Sequence, residues 1–206
     1  MNGTAQSYGP ARLADRQLTA AETFTRRQQA GVRLDRDVEP ITDIGSVEIQ
    51  RSQQALWRSG TLAAEWARRF PELFDEDDRR LAEAQGPLGY HFYEWLAAIV
   101  LHHATGYRSL VSKYEFAKHR RKQEIVEKLL PANLLPILRD RTEHGRAQPP
   151  DLLMYAPDFS DWFFCEVKGP GDRLRPEQLA KFEALAKLGG KPVRLLQLRW
   201  GPARSV

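Results

Sequence analysis

Apolar and polar positions divide the chain into stretches of different character. Residues 1–40 hold few large apolar side chains and many Arg, Gln, Asp and Ala. Such a segment cannot bury a core and is expected to be a partly disordered arm. Over residues 46–69, Ile49, Ala55, Leu56, Leu62, Ala63 and Trp66 recur at spacings that predict a helix, which Phe70-Pro71 ends. Asp75 to Asp78 precede a short helix through Ala84, where carboxylates suit the N-terminal turn, and Gly86-Pro87 breaks it. Residues 88–105, LGYHFYEWLAAIVLHHAT, are apolar almost all round and predict a buried helix closed by Gly106. Residues 111–129 read as a charged helix. Pro131 and Pro136 then frame a shorter helical piece to about His144, and Ala147 to Pro150 form an extended lead-in.

The pattern changes after residue 150. Leu152 to Tyr155 is a short apolar strand, and Trp162 to Val167 is a second, with a turn at Pro157 to Asp161 between them. A glycine loop at Gly169 to Asp172 leads to a helix with Pro176 in its first turn and Gly189-Gly190 at its end. Leu179, Phe182 and Ala186 form its apolar stripe, and Val193 to Leu198 is a final strand. This order predicts an α/β core at 86–206 with a helical insertion at about 108–146. A helical extension at 41–85 and the arm at 1–40 precede it.

Composition narrows the class. The chain has 206 residues, 42% hydrophobic and 28% charged, enough for one domain with a real core. No run of 18 apolar residues is present, so no membrane helix is expected. The first 16 residues lack an apolar signal core, which makes a cytoplasmic location the expectation. The single cysteine, Cys165, excludes a disulfide scaffold and a cysteine zinc site. The formal charge of +4 is unevenly spread. Residues 1–105 carry 12 basic and 15 acidic side chains, 106–146 carry 10 and 5, and 147–206 carry 9 and 7. The basic excess therefore lies in the second half of the chain.

The chemistry concentrates around residues 150–178. Asp151 opens one strand. Glu166 and Lys168, two apart on the next, point to one face. Two neighbouring carboxylates make a hard-oxygen site for Mg²⁺ or Mn²⁺. A lysine beside them can orient water or stabilise charge on a phosphate. Charged residues at strand ends are more often solvent-facing. Here, however, Glu166 and Lys168 fall at the end of the very apolar run WFFCEVK. The following loop pairs glycines with Arg173 and Arg175, which suits close approach of a phosphate backbone. Pro157-Asp158 competes with Pro150-Asp151 for the first carboxylate. Asp158 is only eight residues before Glu166, leaving a turn and no full strand, so Asp151 is preferred.

These residues carry a resemblance. Pro150-Asp151, Glu166-Val167-Lys168-Gly169-Pro170, Asp172-Arg173-Leu174 and Gln178 resemble the pattern of the VRR-NUC domain, within the PD-(D/E)XK nuclease superfamily. The resemblance covers roughly 146–200. It implies a restriction-endonuclease-like fold, a mixed sheet flanked by helices, and divalent-metal-dependent DNA cleavage. It implies Asp151, Glu166 and the Val167 carbonyl as metal ligands, Lys168 as the catalytic lysine, and Gln178 at the edge of the site. Members of the superfamily often carry a further acid on the first core helix, for which Glu94 is the candidate. A carboxylate among Ala97, Ala98 and Leu101 needs a partner or a metal. The competing reading is a glutamate near a helix start that reaches solvent or an arginine.

The basic run Lys118, Arg120, Arg121 and Lys122 is expected to track DNA phosphates, with Arg108, Lys113 and Lys128 nearby. The plainer alternative is a solvated helix face paired locally with Glu115, Glu124 and Glu127. His102-His103, Cys165 and Trp57, Trp66 and Trp95 read as structural. Taken together, the sequence is expected to encode a metal-dependent deoxyribonuclease with DNA as partner, in repair, replication, defence or mobile-element biology. Two other readings stay open: a catalytically silent nucleic-acid-binding module, and a nuclease subunit that docks a partner protein or a second copy through its N-terminal helices.

Overall fold

The computed structural model describes residues 39–111, 114–115, 120–140 and 148–202. Five strands form one mixed sheet: β1 (Ile41–Ile49), β2 (Arg108–Val111), β3 (Leu152–Tyr155), β4 (Trp162–Lys168) and β5 (Val193–Trp200). Their spatial order is β1-β5-β4-β3-β2. β1, β5 and β4 run parallel, while β3 is antiparallel to both β4 and β2. The helices are α1 (Arg51–Arg58), α2 (Thr61–Arg69), α3 (Glu76–Gln85), α4 (Phe92–Thr105), α5 (Arg120–Leu129), α6 (Leu134–Arg139) and α7 (Pro176–Gly189), with a 3₁₀ turn at Gly86–Leu88.

Strand alternation sends side chains to two cores. Phe163, Cys165 and Val167 of β4, with Leu152 and Met154 of β3, face a cluster built by α1 to α4. Phe164, Leu153 and Tyr155 face the other cluster, which includes Ile125, Leu134, Leu138 and Phe182 from α5 to α7. The sheet is thus covered on both faces, as its nearly continuous apolar strands require. α4 is the central helix. Eight of its residues, including Trp95, Leu96, Ile99 and Leu101, are buried. Fully burying each large apolar side chain of this kind stabilises by roughly 1.5–3 kcal/mol. Phe74, just before α3, stacks on Trp95 of α4 at 4.1 Å, and Trp57 of α1 and Trp66 of α2 lie 6.3 and 6.5 Å from Phe92 of α4, so aromatic contacts lock α1, α2 and the segment before α3 to α4.

The restriction-endonuclease-like α/β expectation holds, and three local expectations change. Residues 46–49 belong to β1, and the helix read over 46–69 is two helices separated by Ser59-Gly60. The segment 41–85 is therefore not wholly helical: it supplies an edge strand. In β1 the register shifts between Asp43 and Gly45, and Asp43 Oδ1 accepts the Gly45 N–H at 2.8 Å. That irregularity breaks the two-residue alternation by which a strand is recognised. Of the charged helix read over 111–129, Arg120–Leu129 are described as helix, whereas Val111 belongs to β2 and pairs with β3. Leu179, read as part of the apolar stripe of α7, is exposed. Almost all of the arm at 1–40, together with Lys113, Lys118 and the residues around His144, lies outside the described residues. Among the described residues no helix is long and apolar enough to cross a membrane.

Candidate active site

The candidate site forms where β3 begins and β4 ends. Leu152 pairs with Cys165, so Asp151 lies beside the C-terminal end of β4. Asp151 Oδ2 accepts the Val167 N–H at 2.8 Å. The N–H and C=O of one strand residue point to the same side, so the Val167 carbonyl is directed to the β3 side of β4. Glu166 is 2% exposed. Its Oε1 accepts from Lys168 Nζ at 2.7 Å and from Gln178 Nε2 at 2.7 Å. Lys168 Nζ also donates to Gln178 Oε1 at 2.9 Å. Gln178 is held by its place in the first turn of α7, where the same Oε1 accepts the Arg175 N–H at 3.2 Å. Asp151, Glu166, Lys168 and Gln178 thus form one connected cluster from β3, β4 and α7. Asp158 sits apart, in the β3–β4 turn, bonding the Ser160 N–H and hydroxyl.

The electrostatics of this cluster are strained toward neutrality. Burial, then the charges of Glu166 and Glu94, push the Asp151 carboxyl well above the usual carboxylate range. Burial also raises Glu166, although Lys168 and Gln178 pull it back. Glu166 Oε2 is buried and finds no hydrogen-bond donor in good geometry among the described residues. An acceptor left without a donor in the interior is costly. A cation between Asp151 and Glu166 would satisfy that oxygen and relieve both carboxylates, and the donor set of carboxylates and a strand-end carbonyl is hard oxygen, suited to Mg²⁺ or Mn²⁺. Among the described residues no group of three or more His, Cys, Asp and Glu side chains gathers closely enough to hold an ion by itself. The fit is therefore to a site completed by backbone oxygen, water and substrate, the way Mg²⁺ is usually held.

Glu94, in the first turn of α4, is partly buried with His91 Nδ1 at 3.4 Å, and it is near enough to Asp151 to raise its carboxyl. Two neighbours were not singled out as site residues from the sequence. A Cβ at Gly169 would lie 2.8 Å from the Tyr93 ring and 3.0 Å from Asp172 Oδ2, so only glycine fits between them. Asp172 Oδ2 accepts the Gly169 N–H at 3.2 Å. The glycine within Glu-Val-Lys-Gly-Pro was the visible signal for this close approach. Tyr114 is fully buried and its hydroxyl donates to the Pro150 carbonyl at 2.7 Å, fixing the backbone just before Asp151. Cys165 points to the opposite face, where burial pushes its thiol far up and keeps it inert.

The basic residues divide. Arg173 and Arg175 are exposed on the loop beside the cluster. Arg120 is exposed and pairs with Glu124 at 2.7 Å. Lys122 is 3% exposed; its Nζ meets Asp78 Oδ1 at 2.7 Å and the Val111 carbonyl at 3.2 Å. Arg121 bonds Asp75 Oδ2 at 3.1 Å and lies 3.7 Å from Asp78. The expectation that Lys122 lines DNA is therefore corrected, while Arg121 is drawn toward the same carboxylates with part of its side chain exposed. Both are turned onto the acidic first turn of α3, and Lys122 is closed to solvent. Lys118 lies outside the described residues.

A family model described as the VRR-NUC domain matches residues 93–200, about half of the chain. Among solved structures, the crystal structure of paFAN1 bound to DNA with a 2-nucleotide 5′ flap and a gap is similar at 26% identity and a TM-score of 0.36. The match covers 63% of this chain and 25% of that one, so the chain spans about a quarter of that protein's length. No curated protein matches the sequence.

Proposed function

Because the chain belongs to the VRR-NUC domain family, we propose that it is a divalent-metal-dependent nuclease that hydrolyses phosphodiester bonds in DNA. The observation that carries this reading is the buried Glu166 beside the partly buried Asp151, with Glu166 Oε2 lacking a donor among the described residues and an ammonium bonded to Oε1. Asp151, Glu166 and the Val167 carbonyl would hold Mg²⁺ or Mn²⁺, with Glu94 as a further acid at the margin. Such an ion, when bound, polarises a phosphoryl oxygen and lowers the pKa of bound water.

The protein's own groups do the rest. Lys168, anchored by Glu166 and Gln178, holds a fixed positive charge beside the carboxylate pair. There it orients the attacking water and stabilises negative charge that develops on the phosphate. Gln178 fixes both Glu166 and Lys168 and so positions the pair. Arg173 and Arg175 bring exposed guanidinium groups to the phosphate backbone, where bidentate contacts to phosphate oxygens are favoured. Structure-specific cleavage in repair, replication, defence or mobile-element biology is the corresponding proposal for its role.

The test is a panel of branched, single-stranded and duplex DNAs incubated with Mg²⁺ or Mn²⁺. The parent is expected to cleave at least one class, with cleavage abolished by EDTA. Asp151→Ala and Lys168→Ala should each lose it. Metal-independent cleavage, or cleavage that survives in both variants, would reject the reading.

A further inference from the structure

The 3₁₀ turn and the loop that joins it to α4 expose two large apolar side chains, on a segment that reaches the candidate site through His91, whose Nδ1 lies 3.4 Å from Glu94 Oε1. Leu88 is 68% exposed and Tyr90 is 58% exposed. Both sit on a backbone that is pinned. The Trp57 indole N–H donates to the Tyr90 carbonyl at 3.0 Å, and the Tyr90 N–H donates to the Gln85 carbonyl at 3.3 Å. Gly89 adopts φ +80° with its Cα against the Arg58 guanidinium: a Cβ there would lie 3.1 Å from Arg58 Nε. His91 follows at φ +60°, a conformation unfavourable for a residue with a Cβ. Anchored backbone, local strain and exposed apolar side chains are not what folding alone would select.

The surroundings indicate the occupant. Tyr93, three residues on, packs its ring against Gly169, directly after Lys168. Gln54 of α1 lies beside the Tyr93 hydroxyl, and Arg51 and Arg58 of α1 are within its electrostatic reach. Arg51 and Arg58 are both exposed. α1 and the loop therefore present two cations and an exposed aromatic ring on the α4 flank of the site. Arg173 and Arg175 stand on its α7 flank. An exposed ring with arginines beside it is the pairing by which proteins hold unpaired nucleic-acid strands, with bases stacked on the ring and phosphates on the cations.

We infer that Tyr90 is a stacking platform for an unpaired base of the strand entering the site, and that Arg51 and Arg58 hold the adjoining phosphates. The inference rests on the nuclease reading and adds to it a preference for DNA with unpaired nucleotides next to the scissile bond. It also gives the segment 41–85 a role in substrate selection.

The test uses the full chain with a Lys168→Ala substitution to prevent cleavage. Its probes are a single-stranded oligonucleotide, a duplex with a short single-stranded tail, and a blunt duplex. Tyr90→Ala should weaken binding of the two probes with unpaired bases by roughly 5- to 150-fold. It should leave the blunt duplex nearly unchanged. Tyr90→Phe should retain binding, since the ring and not the hydroxyl is required. A 2-aminopurine in the unpaired segment should be quenched by the parent and by Tyr90→Phe but not by Tyr90→Ala. Arg58→Ala should reduce the salt dependence of binding. Equal binding and quenching by Tyr90→Ala and its parent would overturn the inference while leaving the nuclease reading intact. Equal loss on all three probes would overturn it too, because it would mark a general defect. A parent that binds no DNA at all would instead refute the nuclease reading, and this surface with it.

Discussion

Replacing Lys122 by methionine separates a structural lysine from a DNA-binding one. The side chain is buried, with its ammonium 2.7 Å from Asp78 and bonded to the Val111 carbonyl. Asp78 is itself 3% exposed, and burial already raises its carboxyl in spite of Lys122. Lys122→Met keeps the volume and removes the charge, leaving Asp78 and the Val111 carbonyl without their donor. Breaking one partner of a buried ion pair costs about 3–5 kcal/mol. Asp78 can partly escape that cost by taking up a proton. The variant's folded state then binds more protons than its unfolded state. Its stability is present at low pH and falls as pH rises through the elevated folded pKa, by up to ~1.4 kcal/mol per pH unit. Urea unfolding at pH 5 and pH 8 measures this directly. The midpoint should fall at both pH values, further at pH 8, and Lys122→Met/Asp78→Leu should recover much of the loss. DNA affinity of the folded variant should match the parent. An unchanged midpoint together with weakened DNA binding would refute the assignment and return Lys122 to the DNA surface.

Other substitutions probe the site and its support. Gln178→Ala removes a 2.7 Å bond to Glu166 and a 2.9 Å bond from Lys168, so activity or metal affinity should fall by about 10- to 100-fold in cleavage assays or Mn²⁺ titrations, with little change in fold. Gly169→Ala forces a methyl into the Tyr93 ring; stability should drop by roughly 1–3 kcal/mol in denaturant unfolding, with loss of cleavage as the Lys168 backbone shifts. Asp161 is held below the usual carboxylate range: burial acts against this, but the bonds from Lys191 and Tyr107 prevail. Its contribution is therefore present above about pH 4 and lost as pH falls through the depressed folded value. Asp161→Asn should show a shallower loss of thermal stability between pH 4 and pH 2 than the parent.

The site was more legible in the sequence than the framework around it. β3, β4, α7 and β5 follow one another within about fifty residues, each bounded by Pro, Gly or Asp. Glu166 and Lys168 lie two apart on a single strand, so their shared face follows from strand geometry alone. What was missed depends on distant partners. β1 carries polar residues and a register shift, and it becomes a strand only because β5 pairs with it some 150 residues later. The basic run at 120–122 looks like a solvated face until Asp75 and Asp78, more than forty residues earlier, fold onto it. Local charge density does not reveal whether a cation meets solvent or a buried carboxylate. Gln54, Arg51 and Arg58 show the converse, since α1 carries no motif and gains meaning only from its place beside Tyr93.

In the proposed mechanism Asp151 and Glu166 together hold the ion that cleavage needs. Calorimetric titration of Mn²⁺ into the metal-free protein, its Asp151→Asn variant and its Glu166→Gln variant tests this without relying on turnover. The prediction is at least one saturable site in the parent that is lost or greatly weakened in each variant, while all three remain folded. A parent that binds no Mn²⁺ at millimolar concentration, or variants that bind it as the parent does, would contradict the claim.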